Sequence, residues 1–322
     1  MTPVLTRREV LARTALATAA CAAAPSLLSA ATSATGAKPT YQIGLLEKWF
    51  FDGGTGGPLK YTPEQMATVL DEIGLDLELT LRKDGHIKPE NTADELPPMV
   101  AALAKKNRRV LWLAIDTVRP DEPHWQKAVR VGTQLGIPQV RHRGFRYDAT
   151  KPLKPQLANF HSMTKEFAAA AKEIGFQWVY QTHAGAQYVG AGCWDLDTML
   201  EGVDPRHFGV AFDTRHVMVE QGLAWPTAIQ LLAPKIVALC VKSFQWNGDD
   251  PTMVPLGQGR VKKDIVTRVM AAAGRPLPIC IHNEYFKGTA GKLAAVPFDQ
   301  RAGIVEAFRS DAKVLRQWLG VA

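Results

Sequence analysis

The sequence predicts a single α/β domain, a (β/α)8 or TIM barrel, on three observations. Short apolar runs and longer amphipathic stretches alternate from Tyr41 to the C-terminal end. Several runs, such as Ile236-Val-Ala-Leu-Cys-Val241, are apolar at every position, as strands of a parallel sheet covered on both faces are. Polar residues also gather just after the runs, at the strand ends that form the functional face of such a barrel.

In chain order, strands are expected at 41–46, 75–81, 110–115, 139–143, 177–183, 209–212, 236–241 and 278–281. Between the first two, residues 51–59 read as a glycine-rich loop. Thr62-Pro-Glu-Gln65 then opens a helix by a capping box, with Thr62 at the cap and Gln65 three residues on. Further helices are expected at 93–106, 122–135, 156–174, 195–200, 226–232, 264–273 and 300–319. A doubly wound open sheet is the competing layout, but no GxGxxG turn follows the first strand. The chain also lacks a P-loop, a GxSxG elbow and an HExxH helix.

The first 37 residues read as an export leader ahead of a barrel at 38–322. Thr6-Arg7-Arg8-Glu9-Val10-Leu11 resembles a twin-arginine box and precedes an alanine-rich apolar stretch from Ala15 to Leu28. Small residues from Ala30 to Ala37 suit cleavage. A periplasmic or secreted protein is the expectation, with no stable membrane insertion once the leader is removed. The formal charge is +7, of which three arginines and one glutamate in the leader supply +2. The remaining excess is scattered, which argues against a nucleic-acid groove. Beyond the leader lie only Cys193, Cys240 and Cys280, an odd and widely spaced set that is no disulfide framework. Cys240 and Cys280 fall in apolar runs and are expected as buried thiols.

The residues at the ends of the runs are Glu47, Lys48, Arg82, His86, Asp116, Arg141, Arg143, Gln181, His183, Asp213, His216, Lys242 and Glu284. If the barrel closes, they converge on one mouth. Carboxylates, imidazoles and a lysine brought together there can hold a divalent ion and move protons. Asp213 and His216, three residues apart after an apolar run, are the centre of this expectation.

The order of local strings over residues 40–320 resembles the sugar phosphate isomerase/epimerase family of xylose-isomerase-like barrels. The strings are Leu75-Asp-Leu-Glu-Leu-Thr-Leu-Arg-Lys-Asp-Gly-His86, Tyr180-Gln-Thr-His-Ala-Gly185, Phe212-Asp-Thr-Arg-His216, Cys240-Val-Lys242, Pro255-Leu-Gly-Gln-Gly259 and Asn283-Glu284. The resemblance implies a divalent metal held by acids after the fifth, sixth and eighth strands and a histidine after the seventh. By position these are Gln181, Asp213, Glu284 and Cys240, so two of the four depart from the pattern. Gln181 offers only a neutral carbonyl oxygen, and Cys240 binds only as a thiolate. His183 and His216 are the imidazoles placed to restore the ligand count. The expected metal set is therefore Gln181, His183, Asp213, His216 and Glu284, with Mn, Zn, Co and Mg all open.

The resemblance further implies proton abstraction next to a carbonyl of a sugar, leading to isomerisation, epimerisation or elimination. Glu284 and His183 are the candidate bases, and Lys242 and His216 the candidate acids. Arg82, His86, Arg143 and Trp246 are the candidate substrate contacts. An exported protein favours a non-phosphorylated sugar, keto-sugar or glycoside as partner, and the sequence leaves a homo-oligomer open. Two alternatives remain: a sugar-binding barrel that has lost its chemistry, and a metal-dependent phosphodiesterase of the apurinic endonuclease kind. The latter needs a richer His and Glu cluster than this set provides.

Overall fold

A computed structural model describes residues 40–52, 59–287 and 294–321. The expected leader lies outside them, as does most of the glycine-rich loop. Eight parallel strands close a barrel: β1 (Ile43–Leu46), β2 (Asp76–Leu81), β3 (Val110–Ile115), β4 (Gln139–His142), β5 (Gln177–Gln181), β6 (Phe208–Asp213), β7 (Ile236–Val241) and, after a two-stranded insertion, β10 (Ile279–Ile281). Each pairs with its sequence neighbour, and β10 pairs with both β7 and β1 to shut the ring. The (β/α)8 expectation holds.

The helices are α1 (Pro63–Ile73), α2 (Thr92–Ala104), α3 (Pro123–Gln134), α4 (Leu153–Ile174), α5 (Trp194–Met199), α6 (Thr214–Gln221), α7 (Trp225–Leu232), α8 (Lys263–Ala273) and α9 (Ala302–Leu319). The α1 start is the capping box the sequence indicated. The Thr62 hydroxyl accepts from the Gln65 N–H at 3.2 Å, and the Gln65 side chain accepts from the Thr62 N–H at 3.0 Å. Helix α6 and the antiparallel hairpin β8 (Ser243–Asn247) and β9 (Asp250–Val254) were not anticipated.

Two apolar layers build the domain. The larger lies between helices and barrel, with Phe167, Trp178, Phe208 and Phe308 among its buried rings. The smaller plugs the barrel itself, with Leu46, Trp112, Val179, Ala211, Cys240 and Cys280. Gly44 makes room there: a Cβ on it would sit 2.7 Å from a Leu111 methyl and 3.0 Å from the Asp76 carbonyl oxygen. Cys193, Cys240 and Cys280 are free and buried. Above the plug, towards the C-terminal strand ends, the interior turns polar.

Candidate functional site

Polar side chains follow one another around the mouth of the barrel in a continuous chain of contacts. After β1, Lys48 pairs with Glu284, which follows β10. Glu284 accepts from the Lys242 ammonium at 3.3 Å, and Lys242, after β7, also lies 3.2 Å from Asp213 Oδ2 at the end of β6. Asp213 Oδ2 accepts from Gln181 Nε2 of β5 at 2.7 Å, while Gln181 Oε1 accepts from Arg141 Nη1 of β4 at 3.0 Å. Arg141 pairs through Nε with Glu78 of β2, and Glu78 Oε2 lies 3.0 Å from His282 Nε2, which returns the chain to β10. Within this belt three cations, Lys48, Lys242 and Arg141, face three carboxylates, Glu284, Asp213 and Glu78.

The sequence places these side chains by parity. Successive strand residues face opposite sides, so Glu78 and Thr80 of β2 turn inward while Leu77, Leu79 and Leu81 pack outward against the helices. Asp213 is doubly fixed: its backbone N–H donates to Thr182 Oγ1 at 2.8 Å, and its Oδ1 caps α6 by accepting the His216 N–H at 3.0 Å. Burial opposes charging each carboxylate, but the cations win. Arg141, with the His282 side-chain hydrogen bond, holds Glu78 well below the usual range, Lys242 and the His216 backbone N–H do so for Asp213, and Lys242 and Lys48 for Glu284. Lys242, although buried, is pushed up by Asp213 and Glu284 and stays an ammonium.

The two imidazoles lie on the β5–β6 side. Their rings stack with centroids 4.0 Å apart, and His183 also stacks on Tyr188. His183 Nδ1 is 2.8 Å from the Ala184 carbonyl, which can only accept, so Nδ1 carries the proton and Nε2 presents a lone pair. Burial lowers the His183 pKa and keeps the ring neutral at neutral pH. His216 has the opposite tautomer. Its Nδ1 is 3.2 Å from Arg215 Nη1, a donor, which leaves the proton on Nε2, 3.9 Å from Asp213 Oδ2.

On the β1–β2 side, a cleft of about 780 Å³ is lined by Phe51, Lys60, Arg82, His86, Asp116 and Arg143, among others. A smaller cavity of about 220 Å³ beside it reaches Lys48, Thr80 and Arg141, and so touches the belt. Three of the four expected substrate contacts, Arg82, His86 and Arg143, thus line one cleft. Trp246 does not line it; it stands 45% exposed on the β8–β9 hairpin, edge-on to Phe244. Beneath the cleft, Glu47 is fully buried with its Oε2 3.3 Å from His86 Nδ1. Burial pushes the Glu47 carboxyl up to about 8 and the His86 imidazole down to about 4, so at neutral pH an acid faces a neutral ring.

Asp213 and Glu284, which the sequence could only place at the ends of two strands, meet across the Lys242 ammonium. The five residues expected to bind metal are less convergent. Gln181 has spent its carbonyl oxygen on Arg141, which has no acceptor of its own, so the amide turns its NH2 to Asp213. Compact groups of possible metal ligands do occur among the described residues, but they are Asp213, Cys240 and His282, and Glu78, Cys280 and His282. Each joins belt residues to a cysteine of the plug beneath, and neither fits an ion well. Burial holds both thiols well above their ordinary range, and His282 Nε2 is already 3.0 Å from Glu78. Any ion there would also add positive charge beside Lys242. Glu78 and Thr80 lie inside β2, away from the strand ends where the sequence signal gathers, and His282 directly follows β10 beside the Asn283-Glu284 string.

Residues 91–316 match the xylose isomerase-like TIM barrel family. The chain belongs to that family. No curated protein matches the sequence. Among solved structures, a xylose isomerase domain protein from Alicyclobacillus acidocaldarius superposes with a TM-score of 0.62 at 13% identity, over 87% of this chain and 99% of the other. The 3-keto-D-glucoside 4-epimerase of E. coli gives 0.61 at 11% identity, over 86% and 100%. The D-allulose 3-epimerase of Methylomonas sp. gives 0.59 at 13% identity, over 88% and 99%. At these identities the likeness is one of fold. Among the described residues of this family member, no helix is long and apolar enough to cross a membrane.

Proposed function

We propose that this barrel is a sugar isomerase, epimerase or lyase that removes a proton next to a carbonyl of a non-phosphorylated sugar, keto-sugar or glycoside. The observation that carries the reading is an imidazole lone pair, His183 Nε2, with no hydrogen-bond partner among the described residues, at the same mouth as a fixed ammonium, Lys242, whose charge the ring feels. Abstraction of a carbon-bound proton needs both: a base, and a positive charge for the oxygen of the enediolate that results. His183 is the better base of the two candidates, since Glu284 is held ionised by two lysines and has little proton affinity. Lys242 is the stabilising charge and not a ready proton donor, because its acids keep its proton on. His216, its Nδ1 held by Arg215, stacks on His183 and orients it. Arg82, His86 and Arg143 supply the donors for sugar hydroxyls in the cleft.

Relatives of the same fold that act on keto-sugars support the substrate class. The twin-arginine reading of the first residues supports a free sugar met outside the cytoplasm over a phosphorylated intermediate. A second reading, a sugar-binding barrel without turnover, is favoured by one observation: the acids of the belt are locked in ion pairs. The deciding experiment is incubation with a panel of free keto-sugars in D2O, read by NMR for deuterium at the carbon next to the carbonyl. Exchange that disappears in His183→Ala supports the enzyme. Saturable binding with no exchange on any sugar supports the binding module and refutes the enzyme.

A further inference from the structure

We propose that Lys242 takes the place of the divalent ion in this barrel: its ammonium is the cation that Asp213 and Glu284 grip, and the site works without a metal. The inference rests on the reading of the mouth as the reaction site and deepens it. Its ground is the contact pattern. Lys242 Nζ lies 3.2 Å from Asp213 Oδ2 and 3.3 Å from Glu284 Oε2, between the two acids expected to bind a metal. Asp213 has little left for another cation, since Oδ2 accepts from Gln181 at 2.7 Å and Oδ1 from the His216 backbone at 3.0 Å.

The neighbouring substitutions fit the same replacement. Gln181 carries no charge and gives its oxygen to Arg141, and Cys240 brings a thiol where the resemblance implies an imidazole. With Lys48, Lys242 and Arg141 set against Glu284, Asp213 and Glu78, the charges of the belt already cancel. A divalent ion would break that balance. An ammonium carries three N–H donors. Two face Asp213 and Glu284, and among the described residues the third has no partner, which leaves it for a substrate oxygen. Glu284 is further steadied by Lys48, so the tethered cation is held from both sides of β10.

The experiment measures metal content and thermal midpoint, not turnover. The purified full chain is dialysed against Mn2+ or against Zn2+, freed of unbound ion, and assayed by elemental analysis, with a parallel EDTA-treated sample. The expected result is far below one ion per chain and a thermal midpoint unmoved by Mn2+, Zn2+ or EDTA. Lys242→Met, which keeps length and removes charge, should unlatch the two acids and create affinity: about one ion per chain, with a midpoint that rises on adding metal. Stoichiometric metal in the unaltered protein, or a midpoint that falls on chelation, overturns the proposal. A folded Lys242→Met protein that takes up no metal overturns it too. If that variant does not fold, the unaltered protein decides alone. Metal content is independent of turnover, so a failure here leaves the isomerase reading standing, and an inactive enzyme leaves this one standing.

Discussion

Glu47→Gln should make the protein more stable at neutral and alkaline pH. Glu47 is wholly buried, and burial lifts its carboxyl from the ordinary 4.5 to about 8. A carboxyl raised in the folded state keeps its proton more tightly there than in the unfolded chain. Its favourable share of stability is therefore complete below pH 4.5, declines as pH rises, and is gone above 8. At 1.36 kcal/mol per pH unit, the loss is about 3 kcal/mol by pH 7 and about 4 kcal/mol by pH 8. Glutamine copies the protonated acid: its oxygen accepts from the Thr80 hydroxyl and N–H, and its NH2 faces His86 Nδ1. Urea unfolding of both proteins at steps between about pH 4 and pH 9 gives two stability curves and their difference. Asp311, raised to about 6 by burial, adds a slope of its own that is common to both curves and drops out of the difference. The expected difference is near zero at the acid end and grows to several kcal/mol in favour of the variant above pH 7. A difference that does not change with pH, or a variant less stable throughout, would refute the reasoning.

Glu78→Gln removes the partner of both Arg141 and His282 inside the barrel, and should cost about 3–5 kcal/mol in denaturant unfolding because a buried guanidinium is left unbalanced. Arg143→Ala, in the cleft wall, should raise the Michaelis constant for a sugar substrate more than it lowers turnover; the opposite split in steady-state kinetics would remove Arg143 from substrate binding. Gly259→Ala puts a Cβ 2.4 Å from the Phe244 carbonyl oxygen and 2.3 Å from the Ser243 hydroxyl. It should cost about 1–3 kcal/mol and shift the emission of the half-exposed Trp246 on the same hairpin; an unshifted spectrum would mean the hairpin does not depend on that glycine.

The eight strands could be read from sequence because a parallel barrel makes them apolar on both faces, as in Ile236–Val241. The Thr62 cap was legible because its signal is local. The hairpin left its own signal unread: Ser243-Phe-Gln-Trp-Asn alternates, and Gly248 turns the chain at φ 59° between paired Asn247 and Asp250. Asp213, Lys242 and Glu284 stood out because they follow strands. Glu78 did not, since it lies in the middle of one, and only the alternation of Asp76, Glu78 and Thr80 with three leucines points it inward. His282 directly follows β10, as a site residue should, but the resemblance points past it to Asn283 and Glu284, and its tie to Glu78 crosses the barrel. That Gln181 would serve Arg141 instead of a metal is a matter of pairing across the barrel, which no local pattern encodes.

The belt also sets how the mouth can move. Its links run from strand to strand around the rim, joining residues as far apart in the chain as Lys48 and Glu284. The strand ends that carry its charges cannot peel away alone without stranding a buried partner, so these parts of the rim resist piecemeal fraying. Adaptation to differently shaped ligands is then left to the connections above the rim. Swapping those connections, with the hoop beneath untouched, is the way this scaffold would change its diet.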